Sequence, residues 1–229
     1  MAEIIQINND TYRIEDDGVR FFLLLGTTNA LLIDTGMNTP NAKAIVNNIT
    51  NLPILLINTH GDIDHISGND EFEEFYLSEN EVDYYASKHN TNNKIITVKN
   101  NEIIDIGNRP IKVINLEGHT PGSIALLDIN NKVLISGDSI QDGRIFMFNE
   151  GRNMNLFINS LERLWKEHQD EFDIVYPSHG SFPISKELIP TIIDGAKKII
   201  DNKVTGKRID FMNRKITYYD FKLFGFLCE

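Results

Sequence analysis

Residues 57–69 read INTHGDIDHISGN, a stretch that places four metal-ligand side chains within six positions. The four are His60, Asp62, Asp64 and His65. They follow the apolar run PILLIN at 53–58, which predicts a strand buried on both faces. His60 and Asp62 are two positions apart, so on an extended turn their side chains point the same way. Because each ion needs about four to six ligands, the stretch predicts a metal centre that other parts of the chain must complete.

Three further ligand-type residues each follow a predicted strand elsewhere in the chain. His119 follows IKVINLEG, Asp138 follows KVLISG, and His179 follows FDIVYPS. Imidazole and carboxylate groups are ligands for divalent transition metals. Since separate strand ends each supply one such group, we interpret them and the first cluster as one constellation. Its composition is typical of a site for two adjacent ions and two-metal hydrolysis.

Five pieces of the sequence, in this order, resemble the metallo-β-lactamase-fold superfamily of metallohydrolases. They are LLIDTG (31–36), THGDIDH (59–65), GHTPGS (118–123), SGDS (136–139) and YPSHG (176–180). The pieces extend over most of the chain, with spacing typical of that superfamily. The resemblance implies an α/β (α+β) fold, a four-layer αββα sandwich with the metals at one edge of two sheets. We expect residues 1–229 to form a single domain of this kind.

The resemblance also implies a role for each residue of the constellation. The first metal would be held by His60, Asp62 and His119. The second metal would be held by Asp64, His65 and His179. Asp138 would bridge the two ions, and Asp34, from LLIDTG, would orient a ligand or its loop. Asp64 and Asp138 are the expected catalytic residues.

Asp62 departs from the usual superfamily motif, which reads His-x-His-x-Asp-His where this chain reads His-x-Asp-x-Asp-His. Three aspartates and a hydroxide would bring two divalent ions close to neutrality, whereas the usual two aspartates leave about one positive charge. A carboxylate is also a harder ligand than an imidazole, which favours iron or manganese. Flavodiiron proteins share this fold and place a glutamate at this position of a di-iron site. Zinc, iron and manganese all remain candidate metals.

Composition excludes some classes of partner. The 229 residues carry a net charge of −11, which disfavours nucleic acid and anionic membranes as partners, because both attract basic surfaces. The sole cysteine, Cys228, provides neither an internal disulfide nor a thiolate metal site. The N-terminus lacks a basic region followed by an apolar stretch. We therefore expect a cytoplasmic protein with a small-molecule substrate, and the oligomeric state stays open.

Several elements can be predicted from local patterns. Residues 153–169 have the apolar periodicity of an amphipathic helix, and KITYYDFKLFGFL at 215–227 predicts one closing strand. SENE at 78–81 has the Ser and Glu of a capping box, which predicts a helix start. Residues 140–153 read as a loop after the bridging aspartate. Its side chains Arg144, Phe146, Phe148 and Arg152 are candidates for the wall of a substrate pocket.

Three functions remain in competition. The leading hypothesis is a dinuclear metal-dependent hydrolase, in which a hydroxide held between two ions attacks an ester, thioester, lactone or phosphoester-type small molecule. A second is redox chemistry at a flavodiiron-like di-iron centre that takes electrons from a partner. A third is a non-catalytic metal-binding module. Metal analysis and the visible spectrum of protein purified without added metal separate the three: iron with a reducible absorption band favours redox chemistry, zinc or manganese with esterase activity favours hydrolysis, and no metal favours binding.

Overall fold

A seven-stranded sheet is built from the first part of the chain in the computed structural model, which describes residues 2–39 and 41–229. Its strands lie in sequence order: β1 (Glu3–Asn8), β2 (Thr11–Asp16), β3 (Val19–Leu25), β4 (Ala30–Ile33), β5 (Ile54–Ile57), β6 (Glu74–Ser78) and β7 (Lys94–Val98). The first four strands pair antiparallel and β4 to β7 pair parallel. The central strands β3 and β4 are continuously apolar because both of their faces are covered.

A second sheet of six strands follows. Its members are β8 (Ile103–Asp105), β9 (Pro110–Asn115), β10 (Ile124–Asp128), β11 (Val133–Gly137), β13 (Ile174–Pro177) and β14 (Ile184–Ser185). They lie in the order β14-β13-β11-β10-β9-β8. Only β11 and β13 among these neighbours run parallel, and their last residues, Gly137 and Pro177, are paired. The loops that follow these two strands therefore leave the sheet side by side.

The two sheets pack face to face through one apolar layer. Phe22, Leu31 and Ile57 of the first sheet meet Val113 and Leu126 of the second in this layer. The outer face of the first sheet is covered by α1 (Ala42–Asn47), α2 (Ile63–Ile66), a 3-10 turn (Asn69–Glu71) and α3 (Val82–Lys88). The outer face of the second sheet is covered by α4 (Met154–His168) and α5 (Leu188–Ile200). The predicted αββα sandwich is thus confirmed, as is the amphipathic helix predicted over 153–169.

A third sheet corrects two predictions. It consists of β12 (Arg144–Met147), β15 (Lys207–Phe211), β16 (Arg214–Asp220) and β17 (Gly225–Cys228), in the order β12-β17-β16-β15. The segment 140–153, predicted as a loop, contains β12 because that stretch pairs with β17 from the far end of the chain. The single strand predicted over 215–227 is two strands. A turn with Lys222 at φ 67° separates them.

None of the helices in the described ranges is long and apolar enough to cross a membrane.

Candidate metal centre

The seven predicted ligands stand on loops at one edge of the sandwich. They are distributed as follows: His60 and Asp62 after β5, Asp64 and His65 in α2, His119 between β9 and β10, Asp138 after β11, and His179 after β13. Backbone hydrogen bonds join the two sheets here, from Ile124 N to Thr59 O and from Arg20 N to Ser178 O, both 2.9 Å. Backbone hydrogen bonds therefore hold the two sheets together at this edge, where the ligand side chains come close to one another.

Four of these residues form one compact group. Single ligand atoms of Asp64, His65, Asp138 and His179 all lie within 4.8 Å of one another. His179 Nε2 lies 3.3 Å from both Asp64 Oδ2 and Asp138 Oδ1, and His65 Nε2 lies 3.2 Å from Asp138 Oδ1. Four ligands about 2.1 Å from an ion stand about 3.4 Å apart at the corners of a tetrahedron. These separations fit one metal ion inside the group.

A second group shares Asp138. Its members His60, His119 and Asp138 also offer atoms within 4.8 Å of one another. The other carboxylate oxygen of Asp138, Oδ2, lies 3.6 Å from His119 Nε2. Asp62 Oδ2 lies 3.6 Å from His60 Nε2 and 3.4 Å from His119 Nε2. Asp138 thus presents one oxygen to each group. Asp62 lies beside His60 and His119, but it is not part of the set of atoms that all lie within 4.8 Å of one another.

Each histidine turns Nε2 toward the centre because its other ring nitrogen has a partner. Nδ1 lies 3.0 Å from Thr59 Oγ1 in His60, 2.8 Å from Asp34 Oδ2 in His65, 3.0 Å from Phe146 O in His119 and 2.7 Å from Gly18 O in His179. Acceptors at these positions place the proton on Nδ1 and leave the Nε2 lone pair facing the centre, where at His119 it also lies 3.4 Å from Arg152 Nη2.

The donor set fits divalent metal ions. His60 Nε2, His65 Nε2 and Asp138 Oδ1 are fully buried, and within the described part of the chain they have no hydrogen-bond partner. Buried polar atoms of this kind are costly unless they are satisfied. Each of these three atoms belongs to a residue of one of the two ligand groups, where a metal ion would satisfy it. Imidazole and carboxylate together suit zinc, iron and manganese.

The electrostatics of the group formed by Asp64, His65, Asp138 and His179 favour positive charge. Burial by itself would lower the pKa of His179, but the Asp138 and Asp64 carboxylates raise it to about 10. The same two carboxylates and Asp34 overcome burial to hold the pKa of His65 well above its usual value. Burial and the Arg152 guanidinium act together to lower the pKa of His119. A field that favours imidazolium also favours a divalent cation, which would replace the protons.

Asp34 lies next to the ligand groups, in contact with Thr59 and His65. It is 1% exposed and has a left-handed backbone, φ 65°. Its carboxylate accepts hydrogen bonds from Thr59 N at 2.7 Å and from Thr59 Oγ1 at 2.8 Å, in addition to its contact with His65. One side chain therefore joins the loop of His60 to the helix of His65.

Sequence reasoning missed Glu81, whose carboxylate also joins two ligand loops. Oε1 accepts from Gly61 N at 2.8 Å, and Oε2 accepts from Gly122 N at 2.7 Å and Thr120 Oγ1 at 2.8 Å. The capping box predicted for SENE is wrong, since α3 begins after Glu81 and no side chain caps it. A Cβ at Gly122 would lie 2.2 Å from Glu81 N. Glycine in GHTPGS is needed for this close approach.

Arg152 contacts the Asp62 carboxylate directly. Its Nη2 is bonded to Asp62 Oδ2 and lies 3.4 Å from His119 Nε2, and its Nη1 donates to Tyr84 Oη at 2.8 Å. Tyr84 Oη in turn donates to Asp62 Oδ1 at 2.9 Å. Burial would raise the pKa of Asp62, but contacts with His119 and His60 hold it far below its usual range. Asp62 is therefore a fixed carboxylate anion.

A cavity of about 590 Å³ opens onto the centre. Its polar end is lined by Asp62, Asp64, Asp138 and His179. Its remaining wall includes the apolar side chains of Met37, Ile63, Phe146, Phe211 and Met212. Met37, Ile63 and Met212 are among the most exposed large apolar residues of the protein, at 44%, 55% and 68%. The tip of the hairpin formed by β15 and β16 therefore reaches over the cavity.

The four predicted pocket residues have different surroundings. Arg144 and Phe146 line the cavity. Arg152 also borders it, but its side chain is 3% exposed and its guanidinium is engaged by Asp62 and Tyr84. The structure corrects the prediction for Phe148. This side chain does not line the cavity but is buried against Ile216 and Leu227, in an apolar cluster with residues of the third sheet. The loop prediction failed for Phe148 because β16 and β17, distant in sequence, provide its apolar environment.

Comparisons with known proteins agree with this architecture. The model of the family described as the Metallo-beta-lactamase superfamily matches residues 15–179. Several curated relatives are hydrolases by name, and two of them illustrate the similarity. The acyl-coenzyme A thioesterase MBLAC2 of Bos taurus is 22% identical over 183 residues, which are 62% of this chain and 66% of the relative. The hydroxyacylglutathione hydrolase of Prochlorococcus marinus (strain MIT 9301) is 27% identical over 205 residues, 84% of this chain and 81% of the relative.

The chain spans slightly less than two thirds of the length of the bovine thioesterase. Among solved structures, a metallo-beta-lactamase from Pontibacter korlensis superposes with a TM-score of 0.74 at 18% identity. The superposition covers 86% of this chain and 99% of that structure. At this level of identity, the likeness shows a shared fold.

Proposed function

The chain belongs to the metallo-beta-lactamase superfamily, and on this premise we propose that it is a dinuclear metal-dependent hydrolase of small-molecule thioesters. The observation that carries the proposal is the position of Asp138 between two ligand groups at the end of a cavity. One oxygen of this carboxylate faces His65 and His179, and the other faces His119. When bound, two divalent ions would supply an acidified water molecule and a Lewis acid for the scissile carbonyl.

The chain's own residues position the reactants. Asp64 lines the cavity with a side chain that is 26% exposed, and its Oδ2 faces His65 and His179. This carboxylate can receive the proton of the attacking water and return it to the thiolate that leaves. Phe146, Phe211 and Met212 form an apolar surface beside this polar end. Such a surface would exclude water and hold the acyl group of the substrate.

Three observations support a thioester. One named relative is an acyl-coenzyme A thioesterase, and the substrate in the other name, hydroxyacylglutathione, is itself a thioester. The cavity has an apolar side suited to an acyl group. Exposed Arg144 on its lining, in cation–π contact with Tyr218, would pair with the anionic part of the leaving thiol.

A panel of thioesters tests the proposal. Protein stripped of metal and then loaded separately with zinc, manganese or iron(II) is assayed for free thiol released from acetyl-, butyryl- and octanoyl-coenzyme A and S-lactoylglutathione. We expect kcat/KM to rise with acyl length by about fourfold for each methylene buried, from the free energy of burying one CH₂. Cleavage of bis(p-nitrophenyl) phosphate in preference to every thioester would contradict the proposed substrate class.

Two variants test whether the apolar wall of the cavity determines the preference for acyl-chain length. Phe211→Ala removes apolar area from the cavity and should reduce the preference for long acyl chains. Ile103→Ala is the matched control, because Ile103 is 53% exposed on β8, away from the cavity. Equal chain-length profiles in parent and Phe211→Ala would contradict the role given to this wall.

A further inference from the structure

The carboxylate of Asp62 and the guanidinium of Arg152 form a closed triangle with Tyr84. Arg152 Nη2 donates a hydrogen bond to Asp62 Oδ2, Tyr84 Oη donates to Asp62 Oδ1, and Arg152 Nη1 donates to Tyr84 Oη. Both oxygens of Asp62 are thereby fixed. The oxygen that faces His60 and His119 is the one that also contacts the cation.

The backbone around Arg152 belongs to the centre as well. Arg152 immediately precedes Asn153, whose N donates to Gly118 O at 2.8 Å and whose side chain caps α4. The start of α4 is thus attached to the loop of His119. A Cβ at Gly151 would lie 2.9 Å from the Tyr84 ring, so glycine there lets the ring approach. These contacts determine where the guanidinium stands.

Burying the Arg152 guanidinium has a large desolvation free energy, which suggests that it has a function here. Its side chain is 3% exposed, and its Nε is buried without a partner among the described residues. A buried guanidinium needs a compensating anion, and Asp62 is the carboxylate bonded to it. The two charges cancel. Asp62 and Arg152 together therefore carry the net charge of a neutral imidazole.

We propose that Asp62 and Arg152 act as one charge-compensated unit in place of the histidine usual at this motif position. Asp62 is the ligand, and Arg152 is a positioning residue that orients its carboxylate and cancels its charge. With Arg152 counted, three aspartates and one guanidinium have a net charge of −2, the same as the usual two aspartates. The metal centre keeps the charge of an imidazole-rich site although its ligand is an oxygen. This inference rests on the proposed metal binding and not on the choice of thioester.

The effect of replacing Asp62 on metal binding should therefore depend on whether Arg152 is present. Asp62→His supplies the usual ligand but leaves a buried cation close to the first ion. We expect it to weaken that ion's binding by about tenfold or more, the scale of changes around metal ligands. Adding Arg152→Met removes the cation, and the double variant should bind zinc within about threefold of the parent.

Calorimetric titration of metal-stripped protein with zinc measures this without an activity assay, and a thermal melt checks that each variant is folded. Asp62→His combined with Arg144→Met is the matched control, because Arg144 lines the same cavity but contacts Tyr218 and not Asp62. If Asp62→His does not fold, Asp62→Asn with and without Arg152→Met replaces it, with the same expected direction.

Rescue by Arg152→Met and not by Arg144→Met supports the inference. Undiminished binding of two zinc ions by the single Asp62 variant would overturn it, as would failure of Arg152→Met to restore binding. A parent protein that binds two ions and cleaves no thioester would contradict the proposed substrate and leave this inference intact.

Discussion

Asp34 Oδ2 lies 2.8 Å from His65 Nδ1, and both side chains are almost fully buried. The same carboxylate holds Thr59, whose hydroxyl lies 3.0 Å from His60 Nδ1. A single side chain at the end of β4 thus determines the ring orientation of one histidine in each ligand group. The two ligand groups are therefore connected through Asp34 as well as through Asp138, whose two oxygens face different groups.

Asp34→Asn tests this coupling. The amide has no negative charge and cannot accept from Thr59 and His65 in the same way, so the proton on His65 Nδ1 loses its partner. We expect metal affinity to fall by about 10- to 100-fold, as is typical when such supporting residues are changed. Calorimetric titration measures this, with Asp83→Asn, an exposed change on α3, as control. Unchanged affinity in Asp34→Asn would exclude the orienting role.

Asp138→Ala should lower the metal stoichiometry from two ions to about one. Without the shared carboxylate, two cations face each other with less negative charge between them. Repulsion between unit charges at about 4 Å is roughly 4 kcal/mol at an effective dielectric constant near 20, and larger for divalent ions. Hydrolysis should be lost together with the second ion. Elemental analysis and the thioester assay measure both quantities.

Asp173→Ala is the control for that variant, because the Asp173 side chain is 68% exposed and remote from the ligands. His89 is less suitable, since its Nε2 lies 2.9 Å from Gly61 O in the loop of His60. Two bound ions and full turnover in Asp138→Ala would show that Asp138 is not the bridge.

The sandwich was predicted from the resemblance that five short motifs carry, and local patterns predicted its individual buried strands. PILLIN and ALLID are continuous apolar runs that end in polar motifs, as central strands covered on both faces do. The third sheet could not be predicted in this way. β12 exists only because it pairs with β17, more than 70 residues later in the chain, and local propensity carries no information about such a partner.

The ligand types could likewise be recognised from motif and spacing, whereas the groups that support them could not. Glu81 stands in a stretch that resembles a helix cap, and its burial depends on Gly61 and Gly122 from two other loops. Arg152 was predicted to be part of a substrate pocket because it lies in the segment that follows the predicted bridging residue, Asp138. Its pairing with Asp62 is a tertiary contact across 90 positions of sequence.

Glu81→Ala should destabilise the protein through the loops that it joins. Gly61 N, Gly122 N and the Thr120 hydroxyl would lose a buried acceptor, and each unsatisfied donor costs about 1–3 kcal/mol. We expect the free energy of unfolding to fall by at least about 2 kcal/mol, measured by urea denaturation. Glu79→Ala, two residues away and exposed, should change it by less than about 0.5 kcal/mol. Equal effects of the two variants would argue against the joining role.

Metal binding should release protons, and its apparent affinity should rise with pH. Asp138 and Asp64 overcome burial to raise the pKa of His179 from 6.5 to about 10, so in metal-stripped protein this imidazole is protonated at pH 7. Its proton must leave before Nε2 can bind an ion. Titrations at pH 7.5 in buffers with different ionisation enthalpies should therefore report at least about one proton released per protein. Release near zero would contradict the assignment of His179 as a ligand.

The same shift determines how the stability of the stripped protein depends on pH. A histidine whose pKa is raised on folding stabilises the folded state fully below its unfolded pKa, and this contribution is lost as pH rises through the folded pKa. For His179 the loss extends from about pH 6.5 to about pH 10. Stripped protein should lose melting temperature across this window, and zinc-loaded protein should lose less, because the metal has replaced the proton. His179→Gln, which cannot titrate, should flatten the profile of the stripped form. A profile for stripped His179→Gln as steep as that of the stripped parent would show that other groups cause the dependence.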